Sequence, residues 1–332
     1  MRGYIIRRFL LFIPTVIIAT IILFALIRFI PGDVIDLMIA EMIEQSDSAS
    51  TDEELETELR HRIGLDVNIA IQYGRWMGIW PQDSGEFAGV LEGNLGRSFW
   101  RNESITTMIL ERLPITIELG ILAIVIAWFV AIPIGIISAI RQDSVFDYGS
   151  RSFAIIWVAA PGFWIATMVV VFPAIWWGWT PPVMYIPFSE DPLGNLAQFI
   201  LPAFIMGMSM SGGIARYGRT MMLEVLRQDY IRTAWAKGLS ERTVIVRHAL
   251  KNALIPIVTI LGGEVPMLIA GSVIMEQIFC LPGVGRLVIE ALNRRDYPIV
   301  SGVNMLMITI VLVTNLFIDI LYGFLDPRIR YG

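Results

Sequence analysis

Long apolar runs separated by polar segments set the pattern of this chain. Runs at 9–30, 115–140, 152–179, 196–215, 254–279 and 299–325 are each long enough to cross a bilayer, where about 20 helical residues are needed. In hydrocarbon every backbone polar group must be paired within the protein, so the pattern predicts helices. The expected fold is an all-α polytopic membrane protein with six transmembrane helices. It divides into a first helix (1–31), an extracytoplasmic segment (32–114) and a five-helix core (115–332) that includes a polar loop at 216–253.

That polar loop carries the clearest amphipathic pattern. Leu223, Leu226, Tyr230 and Ala234 recur at spacings of three and four, one face of a helix. Gly238 suits a left-handed residue closing that helix after Lys237, and Ser240 suits the N-cap of a second helix with Glu241 at its positive end. A helix, a tight glycine turn and a second helix make a rigid knob.

Composition agrees with a membrane protein: 55% hydrophobic, 17% charged, mean hydropathy +0.66. Charge then orients it. Both lysines, Lys237 and Lys251, lie in the knob with six arginines, against Glu224, Asp229 and Glu241 alone. Arg2, Arg7 and Arg8 precede the first span, so the positive-inside rule places both termini, 141–151 and the knob in the cytoplasm of a multi-pass cell-membrane protein. The first run exceeds a signal-peptide core and lacks a cleavage site, so it is expected to be retained. The single Cys280 excludes an intramolecular disulfide.

Several positions stand out within this frame. The external segment is acidic, its Thr51–Glu54 stretch matches a capping box, and Tyr73, Trp76, Trp80, Phe99 and Trp100 suggest contact with the membrane surface or a docking partner. Pro133, Pro161 and Pro173 mark kinks, Trp176, Trp177 and Trp179 an interfacial belt, and Gly207, Gly212 and Gly213 close helix approach. Glu264, near mid-span, has two readings: a carboxylate on a substrate pathway, or one hydrogen-bonded between helices. Glu118 and Asp319 lie nearer helix ends and read as structural. The turn-forming stretch Leu281-Pro282-Gly283-Val284-Gly285, following Glu276, reads as an outer gate or lip, or as a simple surface turn.

Catalytic patterns are missing. There is no G-x-x-x-x-G-K-[ST] phosphate loop, no H-E-x-x-H and no G-x-S-x-G elbow, so an enzyme is not expected, nor a cofactor, metal or nucleic-acid partner. If ATP drives this protein, another chain hydrolyses it.

Over essentially its whole length the sequence resembles the permease subunits of ATP-binding-cassette (ABC) importers of the dipeptide/oligopeptide type. The resemblance rests on IRFIPGD at 27–33, ERLPITIELGILA at 111–123, PGFWIA at 161–166, MLEVLRQDYIRTAWAKGLSERTVIVRHALKNALIP at 222–256, EQIFCLPGVGRL at 276–287, RDYPIVSG at 295–302 and FIDILYGFLDPRIRY at 317–331. It implies that Arg232, Thr233, Ala234, Trp235, Ala236, Lys237, Gly238 and Leu239 form the coupling ("EAA") loop that seats in a groove of the ATPase. Arg232 and Thr233 depart from the first two letters of that motif, and Pro256 lies farther from Gly238 than the general motif has it. The resemblance further implies a second homologous permease, two ATPase subunits that bind ATP-Mg, and an external solute-binding protein. Peptides are the leading substrate class, with oligosaccharides and nickel complexes as alternatives. An ion-gradient-driven secondary transporter using Glu264 and Asp319 is the competing reading from another class, against which no inverted repeat is evident.

Overall fold

A computed structural model of the chain describes residues 2–28, 57, 60 and 66–325. The Thr51–Glu54 capping box, His61 and the C-terminal Arg328 and Arg330 lie outside the described residues. Regular structure among the described residues is helical: α1 (Arg2–Arg28), α2 (Ile69–Met77), α3 (Ile105–Ile140), α4 (Val145–Ala159), α5 (Gly162–Trp177), α6 (Pro192–Leu226), α7 (Asp229–Ala236), α8 (Lys251–Gly263), α9 (Val265–Ile278), α10 (Val284–Asn293) and α11 (Tyr297–Leu325). Helices α1, α3, α6 and α11 are each long and apolar enough to cross a membrane, and α4 with α5 makes a fifth candidate bent by 85°. The expected fifth span is divided at Glu264 into α8 and α9.

The bend between α4 and α5 follows from Pro161. A proline disfavours the helical region for the residue before it, and Ala160 accordingly has ψ 120. Helix α6 begins one residue after Asp191, whose carboxylate accepts from the Leu193 and Gly194 N–H groups, with Pro192 at the first position.

The chain forms two compact units. The first comprises Met1–Leu10, Arg112–Arg286 and Val311–Gly332. Its main core joins Leu119 and Ala123 of α3, Ala166 of α5, Phe199, Ala203 and Met206 of α6, and Leu268 and Met275 of α9. Small residues let these helices approach closely, as membrane packing requires. A Cβ on Gly207 would lie 2.7 Å from the Ala123 carbonyl, on Gly212 2.7 Å from the Ala154 carbonyl, and on Gly135 2.8 Å from the Ala215 carbonyl. At one end, Arg8 pairs with Asp319 at 2.9 Å and the Tyr4 hydroxyl donates to the Asp319 carbonyl. Asp319 is thus the partner of a cation.

The second unit comprises Leu11–Glu111 and Leu287–Ile310. Here α2 lies against α1: the Tyr73 and Thr20 hydroxyls are 2.9 Å apart, and Phe24 meets both Tyr73 and Trp76. The Ser98 hydroxyl and the Phe99 N–H donate to the buried carboxylate of Asp296, and the Trp100 indole donates to the Arg294 carbonyl. Of the aromatics singled out in the external segment, Tyr73, Trp76, Phe99 and Trp100 therefore have internal partners, while Trp80 remains exposed.

Candidate functional site

The knob is built differently from the simplest helical reading. Leu223, Leu226, Tyr230 and Ala234 do not share one helix, because α6 ends at Leu226 and a turn at Arg227-Gln228 redirects the chain into α7. Neither glycine nor proline announces that turn. Gly238 follows with φ +73, and its N–H and that of Leu239 donate to the carbonyls of Trp235 and Ala234, closing the helix as its sequence position predicts. Ser240 does occupy the N-cap of the next turn, but its hydroxyl pairs with that of Thr243 rather than with backbone.

Helix α7 has an inward and an outward side. Ile231 and Ala234 are buried with Ala139 of α3, Met222 of α6, and Val244, Ala249 and Ala253 of the following segment. Outward lie Arg232, Thr233, Trp235, Ala236, Lys237, Gly238 and Leu239, all exposed. Trp235 is 45% and Tyr230 44% exposed, an unusual investment of large apolar surface on a short polar helix. The chain then passes through a π-helical turn at Val244–Leu250 before α8. Such turns are rare and cluster at functional sites.

Glu264 sits at the junction of α8 and α9, half buried; its backbone carbonyl accepts from the Leu268 N–H, and its carboxylate has no hydrogen-bond or ion-pair partner among the described residues. Glu276 is the opposite case. Its side chain is fully buried and held by donors: the Thr116 hydroxyl at 2.7 Å, the Arg286 N–H at 2.9 Å, and the Gly285 N–H. Thr116 in turn accepts from the Val284 N–H. The Leu281–Gly285 stretch wraps over this carboxylate. A Cβ on Gly283 would fall 2.3 Å from the Glu276 carboxyl carbon, and one on Gly285 2.5 Å from the Val273 Cα. Both glycines are required by close approach to Glu276 and α9. Cys280, at φ +57, opens the turn, and its carbonyl accepts from the Arg286 guanidinium.

One cluster escaped the sequence reading. Asp147, in the first turn of α4, is fully buried and surrounded by donors from three helices. Arg219 of α6 grips both carboxylate oxygens at 2.7 Å, Arg151 reaches Oδ2 at 2.6 Å, the Ser138 hydroxyl of α3 donates to Oδ1 at 2.5 Å, and the Asp143 N–H adds a fourth donor group. In the sequence, 141–151 is placed only by its side of the membrane, from its arginines. The available signal was local: Ser144-x-x-Asp147 matches a capping box, and Ser144 does cap α4, accepting from the Asp147 N–H. Nothing local pointed to Arg219, 72 residues away.

With the geometry in place, comparison with known proteins is decisive for the family. Residues 131–331 match the family "Binding-protein-dependent transport system inner membrane component", and residues 1–120 match the N-terminal model of such membrane components. A putative peptide transport system permease protein of Brucella abortus is 40% identical over 331 residues, covering all of both chains. The oligopeptide transport system permease protein of Bacillus subtilis is 36% identical over all of both chains. The dipeptide transport system permease protein of Escherichia coli K12 is 37% identical, covering 100% of this chain and 99% of that one. In fold, a crystal structure of an amino acid ABC transporter aligns with a TM-score of 0.50 at 15% identity, covering 66% of this chain and 95% of that chain. The residues that carry the sequence resemblance, the knob and the close-packed helices around it thus have one explanation: this chain is an ABC-importer permease of the peptide-transport family, belonging to the binding-protein-dependent transport system inner membrane components.

Proposed function

We propose that this permease imports short peptides, and that α7 with the Gly238 turn is the coupling knob that seats in the groove of a separate ATPase subunit. One observation carries the coupling assignment: α7 buries Ile231 and Ala234 against the helix ends of its own unit and leaves Tyr230, Trp235 and Leu239 exposed. A solvated loop has no reason to hold that much apolar surface outward on a fixed helix, whereas a docking knob does. The relatives' names support peptides as cargo.

In this reading a second homologous permease completes the pathway, two ATPase subunits bind ATP-Mg, and an external solute-binding protein delivers the peptide. This chain hydrolyses nothing. The pairing of Arg8 near the start of α1 with Asp319 near the end of α11 supports an even number of crossings, and the arginines at the N-terminus favour the cytoplasmic side for both ends. Glu264, half buried and without a described partner, is the candidate pathway carboxylate for the peptide amino group. The Leu281–Gly285 turn, fixed on Glu276, is the candidate outer lip. Docked ATPases close on ATP, and the knob passes that closure to the spans as rigid-body motion.

The reading is tested by purifying this chain from its native membrane in mild detergent and identifying what accompanies it. A second permease and ATP-binding subunits are expected, and a co-purified binding protein should bind di- and tripeptides in preference to oligosaccharides or nickel complexes. Recovery of a stable homo-oligomer without ATPase subunits would overturn it.

A further inference from the structure

We infer that the Asp147–Arg219 clamp is a transmission joint: it locks the ends of α3, α4 and α6 into one body with the coupling helix, so that knob movement reaches the spans. The inference rests on the coupling role proposed for α7.

The argument is positional. Arg219 lies one helical turn before Met222 on α6, and residues three apart share a face. Met222 is fully buried in the seat of α7, beside Ile231 and Ala234. On α3, Ser138, which donates to Asp147, immediately precedes Ala139, another wall of the same seat. The clamp and the seat are therefore consecutive layers across the same helices. Force applied to α7 meets Met222 and Ala139 first, and Arg219 and Ser138 next. From there it passes through the Asp147 carboxylate into α4.

The chemistry suits a joint rather than a surface ion pair. An arginine fork on both oxygens of a carboxylate resists rotation as well as separation. Asp147 is inaccessible to solvent and Arg219 only 18% exposed, so water does not compete freely for the bond. Beyond the clamp the same helices are held by backbone approach, Gly135 against Ala215 and Gly212 against Ala154, where sliding has little room. Helix α4 ends in the 85° bend into α5, so rotation of α4 about the clamp would swing α5. A stability-only clamp would not need to sit directly above the coupling seat.

The test uses the complete importer, with its ATPases and binding protein, reconstituted in proteoliposomes. ATP hydrolysis and uptake of a labelled dipeptide are measured on the same preparations. Asp147→Asn and Arg219→Gln are each expected to retain stoichiometric ATPase subunits and ATP hydrolysis within twofold of wild type. Uptake should fall at least tenfold, so that far more ATP is spent per peptide. Arg219→Lys, which keeps the charge but loses the fork, should show the same split to a smaller degree. The double variant, in which no buried charge is left unpaired, should assemble better than either single one yet remain uncoupled. Unchanged uptake, or uptake and hydrolysis falling in parallel, would overturn the joint, as would failure of all four variants to assemble. If wild-type proteoliposomes show no ATP-driven uptake, the proposed function fails instead of the clamp.

Discussion

Three carboxylates in apolar surroundings are treated in three ways by their neighbours. Asp147 is ion-paired, Glu276 is held by neutral donors, and Glu264 is left without a described partner. A buried charge without partners is costly, so the first two are accounted for by the contacts that hold them. Glu264 has no such contact among the described residues, and that supports its place on the pathway in the proposed function. Glu264→Gln removes the charge while keeping the shape. Uptake of a dipeptide with a free amino terminus should then fall about tenfold, the equivalent of ~1.4 kcal/mol for a lost charge-assisted hydrogen bond. ATPase assembly should be unchanged. Uptake measured at several peptide concentrations decides it, and an unaltered affinity and rate would remove Glu264 from the pathway. Asp319 is already occupied by Arg8, which weakens the proton-relay alternative on structural grounds.

Helices and their joints were legible to different depths. Apolar runs located α1, α3, α6 and α11 and the bent α4–α5 pair, because hydrocarbon length and backbone satisfaction leave few options, whereas the run at 254–279 is divided into two shorter helices. Their limits were harder to read. Helix α3 begins at Ile105, before Glu111, Arg112 and Pro114, because polar residues extend a helix beyond the hydrocarbon as readily as they end it. The break at Arg227-Gln228 has no turn residue to betray it, whereas Gly238 did its expected work at φ +73. Glycines in α6 were flagged together for close packing, yet only position separates them. Gly212 faces the Ala154 carbonyl, but an added Cβ on Gly213 meets nothing within 4 Å. Gly212→Ala should therefore push α4 from α6 and lower the apparent melting temperature of the solubilised subunit, at a cost of about 1–3 kcal/mol. Gly213→Ala should leave it unchanged or slightly raised. Equal effects from the two substitutions would contradict the packing described for α4 and α6.

At the scale of the whole molecule, the protein is the membrane component of an ABC transport system; in the proposed function it is one of two permeases, and the fuel is consumed by separate subunits. Sequence resemblance and family agree on the permease class, and the structure adds how α7 packs against its own unit. The clamp remained hidden because its partners come from three helices: Ser138 at the end of an apolar run, Asp147 beyond it, and Arg219 near the start of the knob, 72 residues from Asp147. The central claim is ATP-driven import through α7, and peptide uptake into proteoliposomes holding the complete complex tests it most directly. Wild-type complex should accumulate dipeptide only with ATP-Mg and binding protein, and should be indifferent to collapse of the ion gradient. Gly238→Val forces a β-branched residue into a left-handed turn, which costs about 1–2 kcal/mol and displaces the knob; its uptake should be lost. Uptake that persists without ATP and disappears with an uncoupler, or full ATP-driven uptake by Gly238→Val, would contradict the account.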